Sequence, residues 1–202
     1  PISDLTTLGY SVRPLIPDHL LSQHQTWFYR ELLNFPEYNQ PTLKTPFVLG
    51  GFAAFGNPAS FHNLYVRTLR LSYAAIIWPE LSGIFPDRKF EMLFDRMMFR
   101  RVGQKPGKES WHRDECSSPN LLPDDLILGG WVNLNNRNQY FSCVPGTFRS
   151  YTTSGTFSPI PKHEHGGLRV RAVKVTIPPG HVLIFRQNMI HEVLATTATS
   201  PE

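Results

Sequence analysis

Cysteine is scarce in this chain: Cys116 and Cys143 are the two in 202 residues. They form neither a CxxC metal pair nor the multi-bridge framework of a small secreted domain, which points to a reducing, intracellular and most simply cytoplasmic setting. Each then reads as a small apolar residue. Long apolar runs are missing as well. Hydrophobic residues make up 41% of the chain, but no run is long enough to cross a bilayer and no signal-peptide pattern opens it, so a soluble protein without a membrane span is expected. Neither sign of charge dominates: 20 Lys and Arg face 16 Asp and Glu, a net +4. So mild an excess suits an anionic substrate or a nucleic acid, yet it is common among ordinary enzymes. There is no internal repeat, heptad or low-complexity tract, and no motif speaks to oligomeric state. The chain begins at Pro1, without an initiator Met, as an excerpt or a processed form would.

What is present is enough for one buried core, since a second domain of ordinary size would leave too little for the first. One domain over 1–202 is expected, with a helical part to about residue 88 and a β core from about 89. The stretch IPDHLLSQHQTWFYRELLNF opens on Pro17 and Asp18 and spaces Leu20, Leu21, Trp27, Phe28, Leu32 and Leu33 at helical intervals. FHNLYVRTLRLSYAAIIWPELSGIF reads as a second helix, broken or restarted at Pro79. KFEMLFDRMMFRRV, LILGGWVNL, QYFSCV, LRVRAVKVTI and HVLIF read as strands, separated by the turn clusters PGT, HGG and PPG. Helices first and many short strands afterwards suggest an antiparallel sandwich or barrel buttressed by N-terminal helices.

The segment SWHRDECSSPN carries the chemistry. On an extended backbone, residues i and i+2 share a face, so the His112 imidazole and the Asp114 carboxylate can converge on one point. Near the end, PPGHVLIFRQNMIHEV delivers His191 after a turn, an apolar strand and a short polar connection. Two histidines and a carboxylate on one face of an iron ion leave the opposite positions open. An HxD triplet alone is weak evidence, and a surface hydrogen bond between His112 and Asp114 is the plain alternative. PKHEHGG offers a second cluster, His163, Glu164 and His165, but among Pro and Gly it reads as a solvated loop.

WHRDECSS, GGWVNLN, QYFSCVPGTF and PPGHVLIFRQNMIHEV, taken in order, resemble the barrel motifs of the phytanoyl-CoA dioxygenase-like branch of iron(II)- and 2-oxoglutarate-dependent oxygenases. The resemblance runs from about Phe90 to Val193, and GYSVRPLI is similar to the family's opening. It implies a double-stranded β-helix, or jelly roll, with His112, Asp114 and His191 binding Fe(II). It also implies 2-oxoglutarate as co-substrate, O2 as oxidant and hydroxylation of a substrate, most simply a small molecule. Phe148 stands where the family's turn often has histidine, and His181 where it has an acidic residue. Asp114 disfavours the halogenating variants, in which a small residue replaces the carboxylate.

Family members usually hold the far carboxylate of 2-oxoglutarate with a basic residue about ten positions past the distal histidine. HEVLATTATSPE contains none. A continuation past Glu202 as an apolar strand carrying Arg or Lys is expected, because a jelly roll needs a strand there to cover its edge. Within the chain, the substitute anchors are Arg186, and Arg100 or Arg101 before the HxD motif. Asn133 and Gln139 are candidates for contact with co-substrate or substrate, and Trp131 for a pocket wall. The basic stretch RRVGQKPGKES, with Lys105 and Lys108, suits either anion guidance or a solvated turn. Two other functions fit the same motifs: an oxygenase modifying nucleic acid or protein, and a jelly-roll binding protein without turnover.

Overall fold

The computed structural model describes residues 3–35, 48–49, 52–54, 59–93, 95–99, 110–114, 126–150 and 157–193. In chain order the elements are α1 (Asp4–Thr7), β1 (Tyr10–Pro14), α2 (Asp18–Leu32), β2 (Val48–Leu49), β3 (Phe52–Ala54), α3 (Ala59–His62), α4 (Leu64–Ile84), β4 (Met98–Phe99), β5 (His112–Arg113), β6 (Leu128–Val132), β7 (Gln139–Cys143), β8 (Ser158–Pro159), α5 (His165–Arg171), β9 (Val173–Ile177), β10 (His181–Arg186) and β11 (His191–Val193). The chain divides into two compact units, Pro1–Pro14 with Glu109–Leu194, and Leu15–Lys108 with Ala195–Glu202.

The first unit is built from two antiparallel sheets, ordered β1-β10-β6 and β8-β5-β11-β7-β9. Strand β10 lies between β1 and β6, and Val182, Leu183, Ile184 and Phe185 are all buried, which is why HVLIF is apolar without alternation. Side chains of both sheets meet in one core: Phe141, Cys143, Val175 and Ile177 from the five-stranded sheet, Leu183 and Phe185 from the other, closed by Phe148 and Met189. A second cluster joins Trp111, Val144, Leu168 and Ile190. The PPG turn forms as its residues dictate: Gly180 adopts φ +72° and His181 N–H donates to the Pro178 carbonyl.

Asn133, with 0% exposure, locks the loop after β6. Its Nδ2 donates to the carbonyls of Arg137 and Ile177 at 2.8 and 2.9 Å, while Oδ1 accepts from the Asn135 N–H at 2.9 Å. Asn133→Ala is expected to strand these groups and cost about 2–4 kcal/mol, lowering the thermal midpoint by roughly 5–12 °C in a calorimetric scan. A midpoint within a degree of wild type would refute that role.

In the second unit, α2 and α4 are joined through one network. The Asn63 side-chain Oδ1 caps α4 by accepting from the Tyr65 and Val66 N–H groups, and its Nδ2 donates to Glu31 at 2.8 Å. Trp27 Nε1 donates to the same carboxylate, and His24, Trp27 and Phe28 set ring edges against Tyr65. The remaining sheet is β2-β3-β4. No helix of the described residues is long and apolar enough to cross a membrane.

Four local expectations differ from what forms. Helix α4 runs through Pro79 without a break. Pro79 and Ala75 are both exposed, so the carbonyl that loses its N–H partner is on the solvent side, where water can satisfy it. KFEMLFDRMMFRRV forms a strand only at Met98–Phe99 among its described residues. The proposed strand LRVRAVKVTI begins as a helix and becomes β9 only at Val173, and HGG with the residues before it is not a loop but a 3-10 turn leading into α5. Leu168, 1% exposed in the cluster with Trp111, holds that helix despite its two glycines.

Candidate functional site

Strand β5 is two residues long and is flanked by β8 and β11, with His112 opposite both Pro159 and His191. The register pair brings the two imidazoles side by side, tilted by 58° with 4.3 Å between ring centroids. Asp114, just past β5, turns back toward both: His112 Nε2 lies 3.1 Å from one carboxylate oxygen and His191 Nε2 3.2 Å from the other. The i, i+2 convergence read from the sequence is therefore realised, and the remote histidine joins it. Among the described residues these three form the one group of His, Cys, Asp or Glu able to hold a metal ion, with ligand atoms within 4.8 Å of one another.

Both histidines are almost wholly buried, and each is oriented in the same way. Nδ1 of His112 lies 2.7 Å from the Ser110 carbonyl and Nδ1 of His191 lies 3.0 Å from the Met189 carbonyl, in each case two residues upstream. A carbonyl only accepts, so Nδ1 carries a proton, and in the neutral imidazole Nε2 presents a lone pair. The two lone pairs then face carboxylate oxygens, acceptor against acceptor. That contact is repulsive unless a proton on Nε2 or a metal ion lies between the two acceptors. Ligands in neighbouring positions around an ion, each about 2.1 Å from it, stand roughly 3 Å apart, the spacing of these atoms.

Burial by itself pushes the Asp114 carboxyl up, but in the metal-free protein hydrogen bonds and charge from protonated His112 and His191 together outweigh it and hold the group well below the usual carboxylate range. Asp114 is thus a ready anion. Aromatic rings surround the pair: Phe141 and Phe185 lie 5.1 and 4.9 Å from the His191 ring, and Phe157 lies 4.9 Å from His112. Phe157 is also 60% exposed, so the His112 ring has an aromatic neighbour that faces solvent. Nothing in the sequence singled it out, because only the pairing of β8 with β5 brings it there. Cys143 pairs with His191 across the strands, but burial pushes its thiol up to about 12, so it serves as an apolar filler.

The other residues singled out from sequence stand as follows. Gln139 accepts from Trp131 Nε1 at 2.6 Å, and Trp131 sets its ring edge against Phe141. The Asn133 amide is committed to its loop, as described above. Arg186 follows Phe185 on an extended strand and so projects away from His191; its Nε donates to the Leu5 carbonyl at 2.9 Å and its guanidinium lies 4.4 Å over the Phe148 ring. His163 and His165 do not pair as ligands: His165 Nε2 meets the Ile160 carbonyl, and His163 is exposed. Arg100, Arg101, Lys105, Lys108, Cys116 and the residues after Val193 lie outside the described residues.

No family model matches the chain and no curated protein matches its sequence. Solved structures do match its fold. The non-heme alpha ketoglutarate dependent epimerase SnoN from nogalamycin biosynthesis superposes with a TM-score of 0.65 at 14% identity, covering 98% of this chain and 77% of that one. EctD from S. alaskensis with bound Fe gives 0.63 at 18%, covering 98% and 71%. HygX from Streptomyces hygroscopicus, with nickel and 2-oxoglutarate bound, gives 0.59 at 12%, covering 98% and 80%. At these identities the likeness establishes a shared fold.

Proposed function

We propose that this chain is an Fe(II)- and 2-oxoglutarate-dependent dioxygenase that hydroxylates a small molecule. In this reading its two sheets are the halves of a double-stranded β-helix, and His112, Asp114 and His191 hold the metal. The observation that carries the reading is the convergence of two Nε2 atoms and one carboxylate in a buried aromatic setting. The solved structures of like fold, one described as alpha ketoglutarate dependent, one with bound Fe and one with nickel and 2-oxoglutarate, supply the chemical class.

The bound iron would supply oxidative chemistry with O2 and 2-oxoglutarate. The chain's own groups do the rest. His112 and His191 offer neutral donors whose orientation is set by the Ser110 and Met189 carbonyls, and Asp114 supplies the charge. Phe141 and Phe185 keep water from one side, which strengthens every charge interaction at the centre. Gln139, steadied by Trp131, has an amide donor suited to a carboxylate, and exposed Phe157 offers an apolar face to the substrate.

The test is succinate formation from 2-oxoglutarate. Fe(II)-dependent succinate, stimulated by a turned-over substrate and abolished by a chelator, is expected. A folded chain that binds Fe(II) or Co(II) yet forms no succinate across a broad small-molecule panel would leave a metal-binding protein of another kind.

A further inference from the structure

Arg113 sits between two of the three metal-facing residues and points the other way. We infer that it is a positioning residue, clamping the strand that delivers His112 and Asp114 to the turn that delivers His191. This rests on the reading of the triad as a metal centre.

The need for a clamp follows from how little backbone pairing joins the two halves. Strand β5 has two residues and meets β11 at the single register pair His112–His191. One such pair does not resist shear along the strands, and a slide of about one residue would move an imidazole by roughly 3 Å. Arg113 adds what the ladder lacks. It is 8% exposed, and its Nη1 donates to the Thr147 carbonyl at 3.1 Å and to the Asn188 carbonyl.

Those two acceptors lead straight to His191. The Asn188 carbonyl is one peptide before the Met189 carbonyl that receives the His191 Nδ1 proton. Thr147 reaches the same turn from the other side: its hydroxyl accepts from the Ile190 N–H at 3.0 Å and donates to the Val144 carbonyl at 2.8 Å, while Val144 N–H donates to the Ile190 carbonyl at 3.0 Å. Arg113 therefore holds both the peptide that orients the distal histidine and the PGT turn that braces it. A guanidinium suits this task because its donors are fixed in a plane and stay charged, whereas a lysine ammonium is one flexible point.

The experiment compares wild type, Arg113→Lys and Arg113→Ala by anaerobic Co(II) titration, reading affinity and the visible ligand-field spectrum, with circular dichroism and melting as fold controls. Arg113→Lys keeps the charge and aliphatic stem and is the deciding variant. Folded Arg113→Lys should bind Co(II) about 10–100-fold more weakly than wild type, with an altered spectrum. Added guanidinium ion at millimolar concentration should recover part of the affinity of Arg113→Ala. A lowered melting point with Co(II) affinity within twofold of wild type and an unchanged spectrum would overturn the clamp while leaving the metal centre standing. Wild type that is folded yet takes up no Co(II) would overturn both.

Discussion

Asp114→Ala is expected to abolish Fe(II)-dependent succinate formation and to weaken metal binding by more than about 100-fold. The substitution leaves two neutral imidazoles and no anion, so a divalent ion loses its only charged ligand among the described residues. Asp114 is a third exposed and buries no apolar bulk, so the fold should survive. Anaerobic metal titration on folded protein is the measurement, and undiminished affinity would remove Asp114 from the centre. The metal-free protein gives a second signature. Asp114 has its carboxyl held below the ordinary range, so it stabilises the folded state above its unfolded value of about 3.9, and that contribution is lost as pH falls below it. Metal-free wild type should therefore lose stability more steeply on strong acidification than metal-free Asp114→Ala.

Gly130→Ala should be the most damaging single substitution for the sheet that holds Phe185. A Cβ there would stand 1.9 Å from the Leu183 carbonyl oxygen, and the residue's φ of +157° already disfavours an L side chain. Oxygen of a paired strand cannot rotate away as a side chain can, so β6 must separate from β10. The expected cost is more than about 4 kcal/mol, seen as insoluble protein or a melting midpoint lowered by over about 10 °C. Gly83→Ala is the matched control, since nothing lies within 4 Å of its added Cβ in α4. It should be neutral or stabilising by up to about 1 kcal/mol. Equal melting of the two variants would refute the steric account.

The consequence reaches the candidate site. Strand β10 carries Phe185, whose ring lies 4.9 Å from His191, and β6 is one of its two partners. Loosening that pairing should admit water beside the distal histidine, so any soluble Gly130→Ala protein should bind metal less tightly as well as melt earlier.

The legible parts were those that local chemistry decides. The HxD spacing placed His112 and Asp114 on one side of an extended segment, because alternation is a property of the backbone alone. The Pro17–Asp18 start of α2, the apolar run of β10 and the glycine of the PPG turn followed from a proline boundary with an acidic first turn, burial on both faces and positive φ. Where local signals misled, packing outweighed them. Leu168, Val170 and Ala172 alternate as a strand would, yet Leu168 is held at helical spacing against Trp111 and Val170 is left exposed. Proline at 79 was no barrier because the Ala75 carbonyl it leaves unmatched belongs to the exposed side of the helix, where water can satisfy it.

Residue types and spacing by themselves determined which side chains could serve as ligands, since donor chemistry belongs to each residue. Tertiary structure alone decided that His191 stands across from His112, that Phe157 stands beside the same imidazole, and that Arg113 reaches the Asn188 carbonyl. Each of these joins segments far apart in the chain through backbone carbonyls or strand pairing, and every residue carries the same carbonyl. No residue type announces such a contact; only the folded register does.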